Sequence, residues 1–186
     1  MITKLSGFLY RYANGRNVLI FLVLQVLFNV VVFPYFMPRS ATGEALPVLD
    51  LMFGFTPDRA YEVLTMYGEK GRDAAYFIAL VVDSIYPLVY TMFSVLAIGY
   101  FFKKITPENS NWRKLNVFPV LPMFFDFMEN RGIMTMIDAY PKQNNAAAHF
   151  ASFSNQLKWS LEGVTIVIIL IGIVGTIINR KKKITS

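Results

Sequence analysis

The sequence predicts an all-α integral membrane protein: one four-helix bundle spanning residues 1–186, with a short amphipathic helix on the outer side between spans one and two. Three observations carry this expectation. The chain is 55% hydrophobic and only 16% charged, where a soluble domain carries about 25% charge, and its mean hydropathy is +0.45. Four apolar segments approach or exceed the roughly 20 helical residues that cross a hydrocarbon core. The basic residues gather in the stretches that would share one side of such a bundle.

The first span is read at about residues 18–37. Lys4, Arg11 and Arg16 precede it, and it runs into Phe33-Pro34-Tyr35-Phe36. No small-residue cleavage site follows, so it reads as an uncleaved span. Residues 38–73 then face outward. Within them Thr56-Pro57-Asp58-Arg59 offers a Thr N-cap and a Pro at the first helical position. The helix that follows sets Tyr61, Leu64 and Tyr67 on one side and ends near Gly68. It would lie on the outer membrane surface or cap the bundle.

Span two is placed at about 74–102, long enough to tilt. A short link with Lys103, Lys104, Arg113 and Lys114 leads to span three, about 115–139. Pro87, Pro119 and Pro122 interrupt these two spans, which is tolerated where neighbours satisfy the freed carbonyls. In the second outer segment, 140–158, residues 144–155 either extend helix four outward or form a separate turn. Span four is about 159–179, and Gly163–Ile178 within it is almost purely apolar.

The three basic clusters set the orientation. Lys4, Arg11 and Arg16, the inter-span link, and Arg180–Lys183 hold most of the 18 basic residues, with Glu108 the one acidic residue among them. Lys and Arg stay on the cytoplasmic side. Both termini are therefore expected in the cytoplasm, with the protein in a bacterial cytoplasmic membrane. The net charge of +6 follows from this arrangement, and no nucleic-acid partner is implied.

Several chemistries are excluded. The chain has no cysteine, so disulfides, thiolate metal sites and cysteine nucleophiles are absent. One histidine, His149, is too few for a typical zinc site and reads as a surface residue. No nucleotide-binding glycine loop, serine elbow or HExxH motif occurs. Four spans without a repeat are thin for a complete secondary transporter. No metal or cofactor is expected.

The candidate site is a set of polar residues at membrane depth. Asp126, Glu129 and Asn130 stand at i, i+3 and i+4, on one face of a helix. At 1.5 Å per residue, Asp126 lies about 20 Å along span three and Asp83 roughly 16 Å into span two. Asn29 of span one falls at similar depth, and Glu162 of span four lies further out. Arg72, Tyr76, Asp83, Tyr86 and Tyr90 fall near one stripe of helix two. Arg131 or Arg72 is the available counter-charge for the carboxylates. Asp83, Asp126, Glu129 and Asn130 are thus expected to converge, and ionisable groups at such depth are functional by default.

Three motifs sit together in this region: Gly68-Glu-Lys-Gly71-Arg72 with Tyr76, Asp83-Ser-Ile-Tyr86-Pro87 with Tyr90, and Asp126-Phe-Met-Glu129-Asn130. Their order over residues 56–141 resembles a group of small four-span bacterial membrane proteins of no assigned activity. The resemblance implies the same architecture and polar face, and no mechanism. Four-span sterol-isomerase and sigma-2-like proteins also bury acidic residues, but their motif order differs and the likeness is one of architecture alone.

Three functions compete. The leading expectation is a pocket that binds a lipid, an amphiphile or a cationic group, with carboxylates supplying charge and tyrosines the walls. The second is a lipid-modifying enzyme with Asp126 and Glu129 as acid and base. A divalent-cation site on Asp83, Asp126 and Glu129 is a minor variant of it. The third is a partner subunit of a membrane complex, its buried polar groups acting as interhelical glue worth roughly 1 kcal/mol each. Membrane lipids and a membrane-protein partner are the expected contacts.

Overall fold

The computed structural model describes residues 2–40 and 43–185, with side chains to 182. Residues 41 and 42 of the first outer segment and the Lys183 side chain of the basic tail lie outside the described residues. The protein is all-helical. Among the described residues no strand occurs, only an isolated bridge between Arg39 and Ala45.

The elements are α1 (Ile2–Tyr12), α2 (Gly15–Leu27), α3 (Phe33–Phe36), α4 (Pro57–Phe77), α5 (Asp83–Ile105), α6 (Val120–Ala139) and α7 (Asn145–Thr185). A π-helical turn at Phe28–Val32 joins α2 to α3, and another at Ile78–Val82 joins α4 to α5. A single 3-10 turn occupies Leu49–Leu51, and a 3-10 helix of seven residues occupies Asn111–Val117. Three runs are long and apolar enough to cross a membrane: Gly15–Phe36, Pro57–Ile105 and Asn145–Lys182. The third expected span is not among them, because α6 carries Asp126, Glu129, Arg131 and Asp138.

Local chemistry explains most boundaries. Thr56 caps α4 by accepting from the Arg59 amide at 3.2 Å, and Pro57 follows at the first helical position. The helix breaks at Gly68, whose φ of 60° is the left-handed conformation that favours glycine. There the helical direction ends, as the glycine signalled, but the chain resumes helix at once. Span three begins later than expected: residues 111–117 form a 3-10 helix, and regular α-helix starts only after Pro119. The second outer segment is settled by Asn144, which caps α7 by accepting from the Ala147 amide at 3.1 Å. From there α7 is one continuous helix of 41 residues.

The chain packs as two compact units. One comprises residues 1–25, 89–121 and 160–186. Its core holds Ile98, Phe102 and Ile168, with Ile105, Leu115, Phe118 and Ile169 against them. Gly99 lies against Ala13, and Gly172 against Phe101, so close that an added Cβ would meet them at 2.7 and 2.8 Å. Small residues let helices approach in this way. The N-terminal helix α1 is fixed by Ser6, which donates to Asn116 Oδ1 at 2.7 Å. Lys103 also donates to the Tyr10 and Ala13 carbonyls at 2.5 and 3.1 Å. Burial pushes the Tyr10 hydroxyl up to about 12, against the opposing pull of the Arg113 guanidinium.

The other unit comprises residues 26–88 and 122–159. Its core joins Ala60, Tyr61, Val63, Leu64 and Tyr67 of α4 to Ile133 and Met136 of α6 and Ala147, Ala148 and Ala151 of α7, with Leu49. The expected apolar side of the short helix, Tyr61, Leu64 and Tyr67, is thus buried in a protein core. Tyr61 also accepts from the Asn144 amide at 2.5 Å, placing the start of α7 against α4. Gly132 of α6 abuts Ala151 of α7, where a Cβ would meet the alanine Cβ at 2.7 Å. That contact sets the register of two antiparallel helices. One turn along, Glu129 comes opposite Asn155, and Asp126 opposite Lys158.

Candidate functional site

Lys158 is the centre of the polar cluster, and it lies wholly within the second unit. Its ammonium reaches Glu129 Oε2 at 2.6 Å and Asp126 Oδ1 at 3.7 Å, and it bonds directly to Asp50 Oδ1. Lys158 and Asp126 are buried, and Glu129 has no exposure at all. Asn155, also fully buried, completes the network. Its amide donates to Glu129 Oε1 at 2.8 Å and to the Asp50 carbonyl at 3.0 Å, and its oxygen accepts from the Gly54 amide at 2.7 Å.

These bonds hold the 49–55 segment against α7. Ser152 accepts from the Phe55 amide at 2.8 Å, and the Trp159 indole donates to the Asp50 carbonyl at 2.9 Å. Ser152, Asn155 and Trp159 stand at i, i+3 and i+7, one stripe of α7. The segment docks through Leu49, buried in the core, and Met52 and Phe55, which pack against it, while Leu51 and Phe53 stay exposed. Its backbone groups then need partners, which the polar stripe supplies.

Carboxylate oxygens of Asp50, Asp126 and Glu129 lie within 4.8 Å of one another, close enough to share a cation. The Lys158 ammonium is within ion-pair range of all three. A divalent ion at this triad would have to displace it. The metal variant read from the sequence named Asp83 as the third ligand; the geometry puts Asp50 in that place.

Beside this network is a cavity of about 190 Å³. Its walls are mainly apolar, including Phe33, Met37, Val48, Leu49, Leu51, Ala75, Ile78, Ala79 and Ile133. The polar side is formed by Asn29, Asp50, Tyr67, Asp83, Tyr86, Asn130 and Trp159. Asn29 donates to the Tyr86 hydroxyl at 2.8 Å, and Tyr67 donates to the Pro47 carbonyl at 2.7 Å. Asp83 is buried to 6% exposure. Among the described residues no hydrogen bond or ion pair engages its carboxylate.

Backbone irregularity surrounds that carboxylate. Asn29 sits inside the first π-helical turn, and the second ends immediately before Asp83. Such turns widen a helix locally and recur at functional sites. Pro87 has no amide to return to the Asp83 carbonyl one turn back. Asn130 takes that place, donating to Asp83 O at 3.3 Å. The Pro87 of the sequence motif therefore has a definite role: it frees the carbonyl that links α5 to α6.

Of the residues proposed from sequence, Asp83, Asn130, Asn29 and Tyr86 line the cavity. Asp126 and Glu129 meet Lys158 beside it. The remaining ones are placed elsewhere. Arg72, an expected counter-charge, donates to the Leu64 carbonyl at 3.1 Å, satisfying the break at Gly68, and stacks 4.0 Å over the Tyr140 ring. Arg131 is exposed on the opposite face of α6, since it follows Asn130 by about 100° around the helix. Tyr76 is half-buried and not among the lining residues. Tyr90 and Glu162 belong to the other unit. His149 is exposed.

Sequence reasoning overlooked Asp50 and Asn155. A signal for Asp50 was present: a lone carboxylate in Val48-Leu49-Asp50-Leu51-Met52-Phe53 has no place in an apolar run without a buried partner. In comparisons with known proteins, no family model, no curated sequence and no solved structure matches the chain.

Proposed function

We propose that this is an integral membrane protein whose cavity binds a small amphiphile through a cationic or hydrogen-bond-donating head group. In this reading four helices cross the bilayer, at about residues 18–37, 74–102, 120–139 and 159–179, with both termini cytoplasmic. The exposed surface supports insertion. The most apolar stretch within Gly15–Phe36 has none of its residues buried in the protein. On α7 Ile166, Val167, Leu170, Ile171, Val174, Ile177 and Ile178 are all exposed. A continuous apolar face of this extent matches a hydrocarbon solvent. A reporter fused after Ser186 is expected to be active only in a cytoplasmic format, and periplasmic activity there would reverse the topology.

The observation that carries the binding reading is the buried Asp83 carboxylate, which among the described residues makes no hydrogen bond or ion pair, at a cavity whose other walls are mainly apolar. A buried carboxylate left unpaired is costly, and a ligand ammonium or hydroxyl would pair it. The cavity volume of about 190 Å³ admits a head group and a few carbons, since a water molecule takes about 30 Å³. Asp126 and Glu129 support this site without facing the ligand. Acid–base catalysis by that pair, the alternative, requires one of them to leave Lys158.

Trp159 lines the cavity, and Trp112→Phe makes it the sole tryptophan of two. Bromine-tailed decylamine, decanol and decanoate can then be compared by quenching, with the protein in phosphatidylcholine nanodiscs. The amine is expected to bind roughly ten- to hundredfold more tightly than the carboxylate, and Asp83→Asn is expected to abolish the difference. Equal quenching by amine and carboxylate in the unsubstituted cavity would exclude the reading.

A further inference from the structure

A second cavity, of about 580 Å³, lies entirely within the first unit, between the last turns of α5 and α7. Its lining is Tyr100 and Lys104 from α5 with Thr176, Asn179, Arg180 and Lys182 from α7. Among the described residues of this lining three are cations, three are neutral hydrogen-bonding groups, and none is acidic. We propose that this cleft binds a phosphate group, supplied by the head group of an anionic phospholipid. The site is independent of the Asp83 cavity and does not rest on its ligand.

The local framework is ordered for this task. Asn179 donates to the Lys104 carbonyl at 3.3 Å, fixing the two helix ends to each other. The Lys104 ammonium stands 3.5 Å over the Tyr100 ring, which holds it at the cleft wall. Gly175 lies against Ile105, where a Cβ would meet the isoleucine side chain at 3.1 Å, so the helices approach closely just before the cleft opens. Basic side chains at a helix end also complement the helix dipole. That role needs one or two cations in the last turn, whereas here cations from two helices converge on one concavity. Basic pockets between membrane helices on the cytoplasmic side are sites for anionic head groups.

The neighbouring surface favours a lipid over a free anion. Lys103, adjacent to Lys104, anchors the end of α1. That helix exposes Ile2, Leu5, Phe8 and Tyr12, which fall within about a third of its circumference. Lys4 and Arg11 lie exposed beside that stripe. This is the pattern of a helix lying in the membrane interface, apolar side down and basic residues at head-group level.

The test is native mass spectrometry of delipidated full-length protein offered phosphatidylglycerol, phosphatidylcholine or inorganic phosphate. Phosphatidylglycerol is expected to be retained preferentially. Substituting Lys104→Gln, Arg180→Gln and Lys182→Gln together should weaken it by roughly fivefold for each cation removed, on the order of a hundredfold in all. The control removes equal charge from exposed positions of the other unit, with Lys70→Gln, Arg131→Gln and Lys142→Gln, and should leave the preference in place. Displacement of the lipid by inorganic phosphate alone would identify the free anion as the source; retention identifies the lipid. Equal loss in both triple variants, or no loss in the cleft variant, overturns the proposal. Melting temperature of each variant separates lost binding from lost folding.

Discussion

Replacing Lys158 by Met is expected to lower stability by about 3–5 kcal/mol, the usual consequence of removing one partner from a buried ion pair. The side chain volumes are similar and Met is a good helix former, so α7 itself is left intact. What is lost is the single ammonium that reaches Asp50, Asp126 and Glu129. Three carboxyl groups would then share a site within 4.8 Å without a counter-charge. For a chain of this length, the melting temperature should fall on the order of ten degrees. Combining Lys158→Met with Glu129→Gln is expected to recover part of the loss, because one of the orphaned charges is then gone. Glu129→Gln alone should cost less than Lys158→Met. A melting temperature unchanged by Lys158→Met would show that the cluster is not an ion network.

The second large effect is expected at Asn155. Its side chain makes three bonds that bridge α6, α7 and the 49–55 segment. Asn155→Leu keeps the volume but leaves the Gly54 amide, the Asp50 carbonyl and one Glu129 oxygen without that partner. Each unsatisfied buried group costs about 1–3 kcal/mol, although Trp159 continues to serve the Asp50 carbonyl. A net loss of about 3 kcal/mol follows from these terms. It should appear as release of the segment as well as in overall stability. Limited proteolysis is expected to cut the variant between residues 43 and 56 while the wild type resists. Leu49, Asp50 and Leu51 line the Asp83 cavity, so the decylamine preference should weaken together with protection of the loop. A protected loop in the variant would mean that Ser152 and Trp159 suffice to hold it.

How far the sequence reached is best seen along α6 and α7. The long apolar helices were legible, because apolar runs and local punctuation act over a few residues, whereas α1 was not anticipated. Thr56-Pro57 started α4, Gly68 broke it, and the i, i+3, i+4 spacing put Asp126, Glu129 and Asn130 on one face. The need for a counter-charge was also legible, because two carboxylates one turn apart in a dry site demand one. Its identity was not. Arg131 was nearer in sequence and Arg72 shared the stripe of Asp83, but Arg131 points off the face and Arg72 is committed to the helix break.

Lys158 became the partner only through the close approach of Gly132 and Ala151, which fixes how far α6 is slid along α7. Asp50 joined only because an irregular loop folds back under α7, and a loop has no periodicity from which its face can be read. The sequence by itself thus determined where the long apolar helices run, which face of α6 is polar, and that its carboxylates require pairing. The tertiary structure alone decided who pairs with whom. It assigned Asp126 and Glu129 to Lys158 and left Asp83 at the cavity outside that ion-pair network. The physical reason is that helix register and loop docking are set by packing between segments distant in the chain, to which no local spacing rule applies.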